Sequence, residues 1–401
     1  MTCLQPPNER FQSLSAYFLA FIMAVAVLVM FMLRLAINPT LFQAGLFLLG
    51  AAWAIALMIR PFELRFSSVL IPLSATVGWG LFQIYTGHTL GPWNTWVAVL
   101  VWFGNLVAFF LAMQVCASSR VRRRFLDTLL YFAFVLSVVS VVQYFSSDGK
   151  VFWFYDTYYK GVLGPFVNRD QYAAFIEMVL PLALVQALRG GPQSLRFAVI
   201  AAAMYATVIA GASRAGALLT TAEIVVIPAI FWAKGKFGRE KLRSVTINIG
   251  LLALVFVAVV GWAVLWARFQ DPDPLKGRRE VLTDTISMVR AKPYFGFGLG
   301  MFRTAYPAYA SVDFGVIVNN AHNDWAEWAA DGGIPFSLLM VWVAVWSLPK
   351  AFKTIWGVGL IAVFAHSFVD FPLQRPVLEV WMFALLGALA TETGKKRQTS
   401  P

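Results

Sequence analysis

Residues 14–33 read LSAYFLAFIMAVAVLVMFML, an apolar run without a charged side chain. About 20 residues of helix cross the hydrocarbon core of a bilayer, so this run is long enough to span a membrane. Two later runs, VAVLVWFGNLVAFFLA at 97–112 and IGLLALVFVAVVGWAVL at 249–265, have the same character. A helix of a soluble protein would carry polar residues at helical spacing, and these runs carry almost none. The chain is therefore expected to be an all-α polytopic membrane protein.

The composition supports this class. Hydrophobic residues make up 59% of the chain and charged residues 13%, whereas soluble domains are about one quarter charged. The first run is expected to remain as a span, because its apolar core is longer than that of a signal peptide and further spans follow at once. Cys3 and Cys116 have neither disulfide nor metal-ligand spacing. The net charge of +12 is scattered over short loops, which argues against a nucleic-acid partner.

The apolar runs predict about 12 transmembrane helices within a single membrane domain, residues 1–401. Between the ninth and tenth spans lies one large loop, residues 268–333. A long ordered loop is usually functional, so this one is expected to carry part of the active site. The predicted spans are 14–33, 41–59, 68–85, 96–116, 126–145, 171–188, 195–210, 215–232, 245–266, 334–346, 355–369 and 377–390.

The basic residues predict the orientation of the chain. They fall in alternate short loops and at the C-terminus, and by the positive-inside rule these segments and both termini are cytoplasmic. Segments 146–170 and 268–333 are then extracytoplasmic, since long loops translocate whatever their charge. The residues that set the orientation are Arg60, Arg65, Arg120, Arg122, Arg123, Arg124, Lys234, Lys236, Arg239, Lys241, Arg243, Lys350, Lys353, Lys395, Lys396 and Arg397.

The large loop contains its own helical pattern. Leu282, Ile286 and Val289 recur at helical spacing, with Arg278, Arg279 and Arg290 close by. This pattern predicts a short amphipathic helix that lies on the membrane surface.

His322 stands in NNAHNDWAE, where the large loop turns into the tenth span. Histidine is the side chain that most readily exchanges a proton near neutral pH, so at a membrane–water boundary it is a candidate general base. Asn323 and Glu327 are four residues apart and lie on one helix face beside it. The alternative is a polar residue at a helix start that only hydrogen-bonds the loop.

Three arginines are predicted to meet on the extracytoplasmic face. Arg214 stands in the turn GASRAG, Arg169 in FVNRDQ at the start of the sixth span, and Arg279 in the large loop. Several guanidinium groups together suit a diphosphate, whose charge is best bound by multidentate donors. The alternative is a set of interfacial anchors.

Two other patterns are interpreted as turns. Asp271-Pro-Asp273 resembles a metal–nucleotide-sugar motif, but its proline suits a plain turn. The run GFGLG at 296–300 lacks the strand–helix context of a phosphate loop, so its glycines are expected to form a tight turn.

Charges inside the spans are the feature that a transporter or lipid flippase would need. Glu177 is expected deep in the sixth span, and Asp370 and Glu379 in or near the last two. No matching pair of interrupted spans accompanies them, and the polar residues are concentrated in the loops.

Taken together, these residues resemble the O-antigen ligase and O-antigen polymerase superfamily of bacterial envelope glycosyltransferases. The resemblance extends over residues 166–386 and rests on several blocks in the expected order. Thr283 stands where an aromatic residue is common and Ala215 where glycine is frequent, and neither change removes a proposed catalytic group. The blocks are FVNRDQYA at 166–173, SRAG at 213–216, Arg279, PYFGFGLGMF at 293–302, HNDW at 322–325, Glu327, Gly332 with Gly333, and HSFVDFPLQ at 366–374.

The resemblance implies a glycosyltransferase C type fold in the bacterial inner membrane. It implies transfer of a glycan from undecaprenyl diphosphate to an acceptor hydroxyl on the periplasmic face, with inversion and without metal or cofactor. His322 would be the base, and Arg214 and Arg279 would stabilise the leaving diphosphate. Arg169 and Asn168 would be supporting donors.

The acceptor distinguishes the functions that the resemblance leaves open. An O-antigen ligase transfers the glycan to the lipid A core. A polymerase transfers it to another glycan, and a protein O-oligosaccharyltransferase to a protein. All three use the same donor chemistry in the lipid bilayer.

Overall fold

The computed structural model describes residues 6–32, 37–157, 161–235 and 239–393. Within these ranges the protein is all-helical, with two isolated bridges, Val151 to Tyr155 and Leu163 to Phe166, and no strand. The all-α prediction is therefore confirmed for the described chain. The predictions that fall outside these ranges concern Cys3, Leu33, Lys236, Lys395, Lys396 and Arg397.

Fifteen α-helices are described. They are α1 Glu9–Leu28, α2 Ile37–Ile59, α3 Leu70–Tyr85, α4 Pro92–Val115, α5 Ser119–Ser146, α6 Arg169–Leu188, α7 Ser194–Gly211, α8 Arg214–Ala233, α9 Arg239–Val260, α10 Ala263–Phe269, α11 Arg278–Ala291, α12 Phe302–Ala305, α13 Asp324–Thr354, α14 Val358–His366 and α15 Pro376–Ala390. Short 3₁₀ turns cover Met30–Met32, Tyr306–Ala308, Pro372–Gln374 and Thr391–Thr393.

Nine helices of the described chain are long and apolar enough to cross a membrane. They are α1, α2, α4 to α9 and α13, so the chain is a polytopic membrane protein. Every predicted span overlaps a helix. However, α3 and α15 are shorter apolar helices, and α14 has only 9 residues. The count of twelve spans therefore stays a prediction.

Most predicted boundaries differ from the helix ends by a few residues, and two predicted spans differ from the structure in a more important way. The span 245–266 was expected to be continuous, and this is wrong: α9 ends at Val260, and Gly261, with φ of 85°, separates it from α10. The span 334–346 is the middle of the longer helix α13, which is broken at Gly333, where φ is 72° and ψ is 179°.

Helix α6 is the centre of the bundle. Other parts of the protein surround it on all sides. In its most apolar 18-residue stretch 94% of the residues are buried, compared with 11% in the corresponding stretch of α9. A helix that is apolar all round and buried packs against other helices, and α6 contacts α7, α8 and α14. In α9, by contrast, Leu254, Val255 and Val259 are exposed, as lipid contact requires.

The predicted helix in the large loop is confirmed as α11. Its buried side includes Val281 and Met288, which pack with Phe302 and Tyr306 in a small second core. Burial raises the pKa of Tyr306, and so does its hydrogen bond to the Asp284 carboxylate. The Tyr306 phenol therefore keeps its proton and donates a hydrogen bond to Asp284. Contact of α11 with a membrane surface stays a prediction.

The large loop is fastened to the break in α13. The N–H groups of Phe297 and Gly298 donate to the carbonyl oxygens of Ala330 and Asp331, at 3.0 and 2.9 Å. A Cβ added to Gly296 would lie 2.3 Å from the Asp331 oxygen, so this close approach requires glycine. The run GFGLG is thus a tight turn, as predicted.

Candidate functional site

Several helices begin at one end of the bundle, which we call the site end. The side-chain oxygens of Asn168, Ser213 and Asn323 cap α6, α8 and α13 by accepting from backbone N–H groups two or three residues ahead. The N-terminal residues of α11 meet α6 there, and the N–H of Asp324 donates to the carbonyl of Ser367. Helix N-termini carry partial positive charge, so their convergence favours an anion.

His322 is paired with Asp370 at this end. Its Nδ1 lies 3.1 Å from Oδ1 of Asp370, and the imidazole is 34% exposed while the carboxylate is 2% exposed. Because an ionised carboxylate only accepts hydrogen bonds, this pairing favours the tautomer in which Nδ1 bears the proton and Nε2 is the acceptor. The Phe371 ring, 4.8 Å away, packs edge-on against the imidazole. A histidine held in this way has the geometry of a general base.

Arg278 contacts two aspartates, Asp370 of this pair and Asp170 in the first turn of α6. Its Nη2 lies 3.2 Å from Oδ2 of Asp170 and 4.0 Å from Oδ1 of Asp370. Its Nη1 donates to the carbonyl of Val369 at 2.8 Å. The Ser213 hydroxyl donates to the other Asp170 oxygen at 2.5 Å. A continuous set of contacts therefore runs from the start of α8 to His322.

The Arg214 guanidinium is held mainly by backbone carbonyl groups rather than by a carboxylate. Its guanidinium donates to the carbonyls of Arg268 and Pro274, at 3.1 and 2.5 Å, and lies 3.9 Å from Asp271. Arg268 in turn donates to the carbonyl of Ala212. Backbone carbonyls neutralise little charge, so most of the positive charge of these two arginines remains available to an anion.

The arginines at the site end influence one another. Desolvation lowers the pKa of Arg268, and the positive charges of Arg169, Arg214 and Arg278 lower it further, while Asp170 opposes them. The Arg169 side chain is exposed and forms no hydrogen bond or ion pair with any described residue. Arg169 and Arg214 both act on Arg268 through their charge, and binding of one diphosphate by the predicted three arginines stays a prediction.

Arg279 has a different environment from Arg278. Its guanidinium is 62% exposed and pairs at 2.7 Å with Asp273, which is itself 42% exposed. Arg278 shares the buried face of α11 with Val281, whereas Arg279 lies on the outer face with Leu282 and the exposed Ile286. Asp273 belongs to a plain turn, as expected, in which its N–H donates to the Asp271 side chain.

The predicted polar neighbours of His322 support the chain around it. Asn323 accepts from the N–H of Ala326 at 2.9 Å and donates to the carbonyl of Phe368 at 2.8 Å. The buried Glu327 carboxylate accepts from the Asn320 side chain and the Ala321 N–H, at 2.9 and 2.6 Å. These contacts hold the loop just before His322. Direct binding of substrate by Asn168, Asn323 and Glu327 stays a prediction.

A second histidine lies deeper in the bundle. His366 and Glu177 form a fully buried pair, with Nδ1 2.8 Å from Oε1. Ligand atoms of Asp170, His366 and Asp370 lie within 4.8 Å of one another, a spacing that could hold a metal ion. Arg278 already neutralises both aspartates, so a metal ion would have to compete with its guanidinium. The expected absence of a metal stays a prediction.

Residues 197–341 match the family model described as O-antigen ligase. This match supports the superfamily that the sequence blocks predicted. A search of curated proteins found no match to the chain. The O-antigen ligase match includes Arg214, Arg279 and His322, and the segment outside it contributes Arg169 and Asp370 to the same end of the bundle.

Sequence reasoning missed three residues of this candidate site: Asp170, Arg278 and Asp370. Asp170 and Asp370 both stand inside blocks of the resemblance, next to Arg169 and four residues after His366. Their acidity inside these blocks, close to Arg169 and His366, was the available signal. Arg278 could have been chosen over its neighbour only from the helical phase of α11, which the structure supplies.

Proposed function

We propose that this protein is an O-antigen ligase-like glycosyltransferase that moves a glycan from undecaprenyl diphosphate to an acceptor hydroxyl on the extracytoplasmic face. The observation that carries the proposal is the His322–Asp370 pair, 3.1 Å apart, at the edge of a cluster of arginines. A base beside an anion-binding cluster is what transfer from a diphosphate donor requires.

His322 accepts the proton of the acceptor hydroxyl at Nε2. Asp370 keeps the proton on Nδ1 and stabilises the imidazolium that forms. The 34% exposure of the imidazole allows an acceptor to approach from solvent. The left-handed backbone of His322, with φ of 52°, places the ring between loop and helix rather than within helix α13.

The acceptor oxygen then attacks the anomeric carbon. A bond forms between them, the bond from that carbon to the diphosphate oxygen breaks, and undecaprenyl diphosphate leaves with the electron pair. Attack from the face opposite the leaving group inverts the anomeric centre. Negative charge grows on the diphosphate during this step, so cations placed in advance lower the barrier.

The arginines divide into two groups by availability. Arg169 is exposed and unpaired among the described residues, and Arg279 holds only the exposed Asp273. An exposed ion pair is worth about 0.2–1 kcal/mol, so a diphosphate can displace Asp273. We assign diphosphate binding to these two with Arg214, and positioning of Asp170 and Asp370 to Arg278.

The lipid A core is the proposed acceptor. A polymerase or a protein O-oligosaccharyltransferase would use the same donor and the same base. The species that accumulates in a deletion strain separates them: long unattached lipid-linked chains indicate a lost ligase, and single repeat units a lost polymerase. No metal or cofactor is proposed.

A transporter or flippase would depend on charges within the spans. Glu177, the charge predicted deep in the sixth span, lies in α6 and is paired with His366. The carboxylate of Glu379 accepts a hydrogen bond from Asn105 at 2.7 Å. Partnered groups of this kind suit helix packing. In a transporter Glu177→Gln would be the severe lesion and His322→Ala a mild one.

The deciding experiment measures glycan transfer by the full-length protein in vesicles with a lipid-linked glycan and a lipid A core acceptor. His322→Ala is expected to lower the turnover by about 100-fold or more, the usual contribution of a general base. His88→Ala is the matched control, because His88 lies at the same end and its imidazole, within the described part of the chain, hydrogen-bonds Thr86 and packs against two phenylalanine rings. Equal activity of the two variants, at equal protein levels, would refute the assignment.

A further inference from the structure

A cavity of about 480 Å³ opens at the end of the bundle opposite the site end. We call it the distal cavity. Helix α6 connects the two regions, because it begins at Arg169 in the site and ends at Leu188 beside the cavity. Its polar lining includes Arg120, Arg122, Arg123, Asp127, Arg189 and Glu392.

The position of the distal cavity places it at the level of lipid headgroups. The 20 residues of α6 rise about 30 Å at 1.5 Å per residue, which is the thickness of the hydrocarbon core. With the site at one surface of the bilayer, the cavity lies at the other. The positive-inside pattern predicts that this is the cytoplasmic leaflet, where anionic lipids give a negative surface potential.

The charge of the lining is not balanced internally. Four guanidinium groups face two carboxylates, those of Asp127 and Glu392. Glu392 pairs with Arg122 at 3.2 Å, and the Asp127 carboxylate accepts from Gln186 at 2.6 Å.

Arg123 and Arg189 are the two arginines that carry the excess. Neither guanidinium forms a hydrogen bond or a salt bridge with any described residue, although both interact electrostatically with Asp127. Desolvation lowers the pKa of Arg189, and the positive charge of Arg123 lowers it further. Both residues are solvent-exposed and line the same cavity, so an anion bound there is attracted by both charges.

The other wall of the distal cavity is apolar. Leu126, Leu182 and Val185 line it and are buried in the bundle, and Trp356 closes one side. Inorganic phosphate gains nothing from such a wall. A glycerophospholipid does, because its glycerol and first methylene groups follow directly after the phosphate.

We propose that the distal cavity binds the phosphate of an anionic glycerophospholipid, with Arg123 and Arg189 as the paired donors and the Leu126–Leu182–Val185 wall against the start of the acyl chains. Basic pockets between transmembrane helices on the cytoplasmic side are known as a type of lipid site. The same phosphate chemistry could be supplied by free phosphate, which the experiment separates. The proposal is independent of the glycosyltransferase assignment.

The experiment uses the full-length protein in phosphatidylcholine nanodiscs. Binding of phosphatidylglycerol and cardiolipin is measured by native mass spectrometry and by the shift in melting temperature, with inorganic phosphate in a parallel arm. The combined variant Arg123→Gln with Arg189→Gln removes the paired donors. Arg60→Gln with Arg243→Gln is the matched control, since both side chains are exposed at the same end and outside the cavity.

The wild type and the control pair are expected to retain anionic lipid, and the cavity variant to bind it about 30-fold more weakly, at about tenfold or less per arginine. Inorganic phosphate is expected to give no shift. Replacing both arginines by lysine keeps the charge and should restore most of the binding, which also guards against a folding defect. Equal lipid retention in the cavity variant and the control pair would overturn the site, and protection by phosphate alone would overturn the lipid as its ligand.

Discussion

His322 has a left-handed backbone, with φ of 52°, directly before α13 begins. Such a conformation in a residue other than glycine costs about 1–3 kcal/mol and persists where surrounding contacts hold it. Asp370 holds the ring by Nδ1, and Asn323 caps the helix that follows. At this scale the site depends on individual hydrogen bonds, so single substitutions should separate the roles of its residues.

The Asp370 carboxylate should be needed for turnover but not for binding of the donor. Asp370→Asn removes the charge that stabilises the imidazolium and frees the orientation of His322. We expect kcat to fall by about 10- to 100-fold while the KM for the lipid-linked donor changes little. Steady-state kinetics in vesicles measures both. Asp313→Asn, in an exposed turn, is the control, and a fall in donor affinity alone would contradict this role.

The neighbours Arg278 and Arg279 should fail in different ways. Arg279→Ala loses a charge-assisted contact to the diphosphate, so kcat/KM for the donor should fall by at least about tenfold with an unchanged melting temperature. Arg278→Ala leaves Asp170 and Asp370 without their cation, which should lower stability by about 3 kcal/mol. Thermal unfolding beside kinetics tests this division. If Arg279→Ala were fully active, Arg279 would have no place in the site.

Among the helices, the two parts of α13 contribute most to the position of the large loop. The break at Gly333 releases carbonyls that the large loop and α3 then satisfy: Phe297 N–H donates to Ala330, Trp79 donates to Gly332 and Gln83 donates to Asp331. Irregular backbone inside a membrane bundle persists where protein groups satisfy it in this way. The first part of α13 thereby fixes the loop that carries His322.

Gly333→Ala should unfold this junction. The backbone at Gly333, φ 72° and ψ 179°, is one that only glycine adopts readily, and a Cβ there would lie 2.4 Å from the Tyr294 carbonyl oxygen. We expect a loss of about 1–3 kcal/mol from conformation alone, seen as a lower melting temperature and yield. Gly250→Ala in α9 meets open space and should be neutral or slightly stabilising. Similar stability of the two variants would argue against a constrained break.

For the whole molecule, the two ends of the bundle differ in chemistry. The site end gathers helix N-termini, His322 and the arginines around Arg214, and the other end carries the distal cavity, Arg60 after α2 and the basic residues at the start of α5. The central helix α6 separates them by about 30 Å. This polarity predicts a single orientation in the membrane, with the site outside and the basic loops in the cytoplasm.

Labelling of introduced cysteines tests that orientation. In a background with Cys3→Ser and Cys116→Ser, Ser311→Cys in the large loop should react with a membrane-impermeant maleimide in intact spheroplasts. Lys353→Cys, at the end of α13, should react only after permeabilisation. Both positions are exposed, so accessibility reports the side of the membrane. The reverse pattern would place the proposed site in the cytoplasm and remove its donor.

The sequence predicted much of the fold because transmembrane helices are local features. An apolar run of sufficient length becomes a helix wherever it lies, and each predicted span overlaps a helix. Breaks at single glycines were harder to predict, as Gly261 within 245–266 shows. Apolar composition continues across such a break, and only the φ angle of the residue reveals it.

The sequence by itself determined the membrane class, the helices and the tight turn at GFGLG, while the meeting of Arg169, Arg214 and Arg279 at one diphosphate stays a prediction. It also brought out His322, because a lone histidine at a loop–helix junction is recognisable without coordinates. The tertiary structure alone decided which residues touch: His322 meets Asp370 across 48 positions of sequence, and Arg278, not Arg279, turns toward the buried aspartates. The physical reason is that contacts between helices distant in sequence depend on how each helix is rotated about its axis and on how the connecting loops bring the helices together. A local sequence pattern encodes neither.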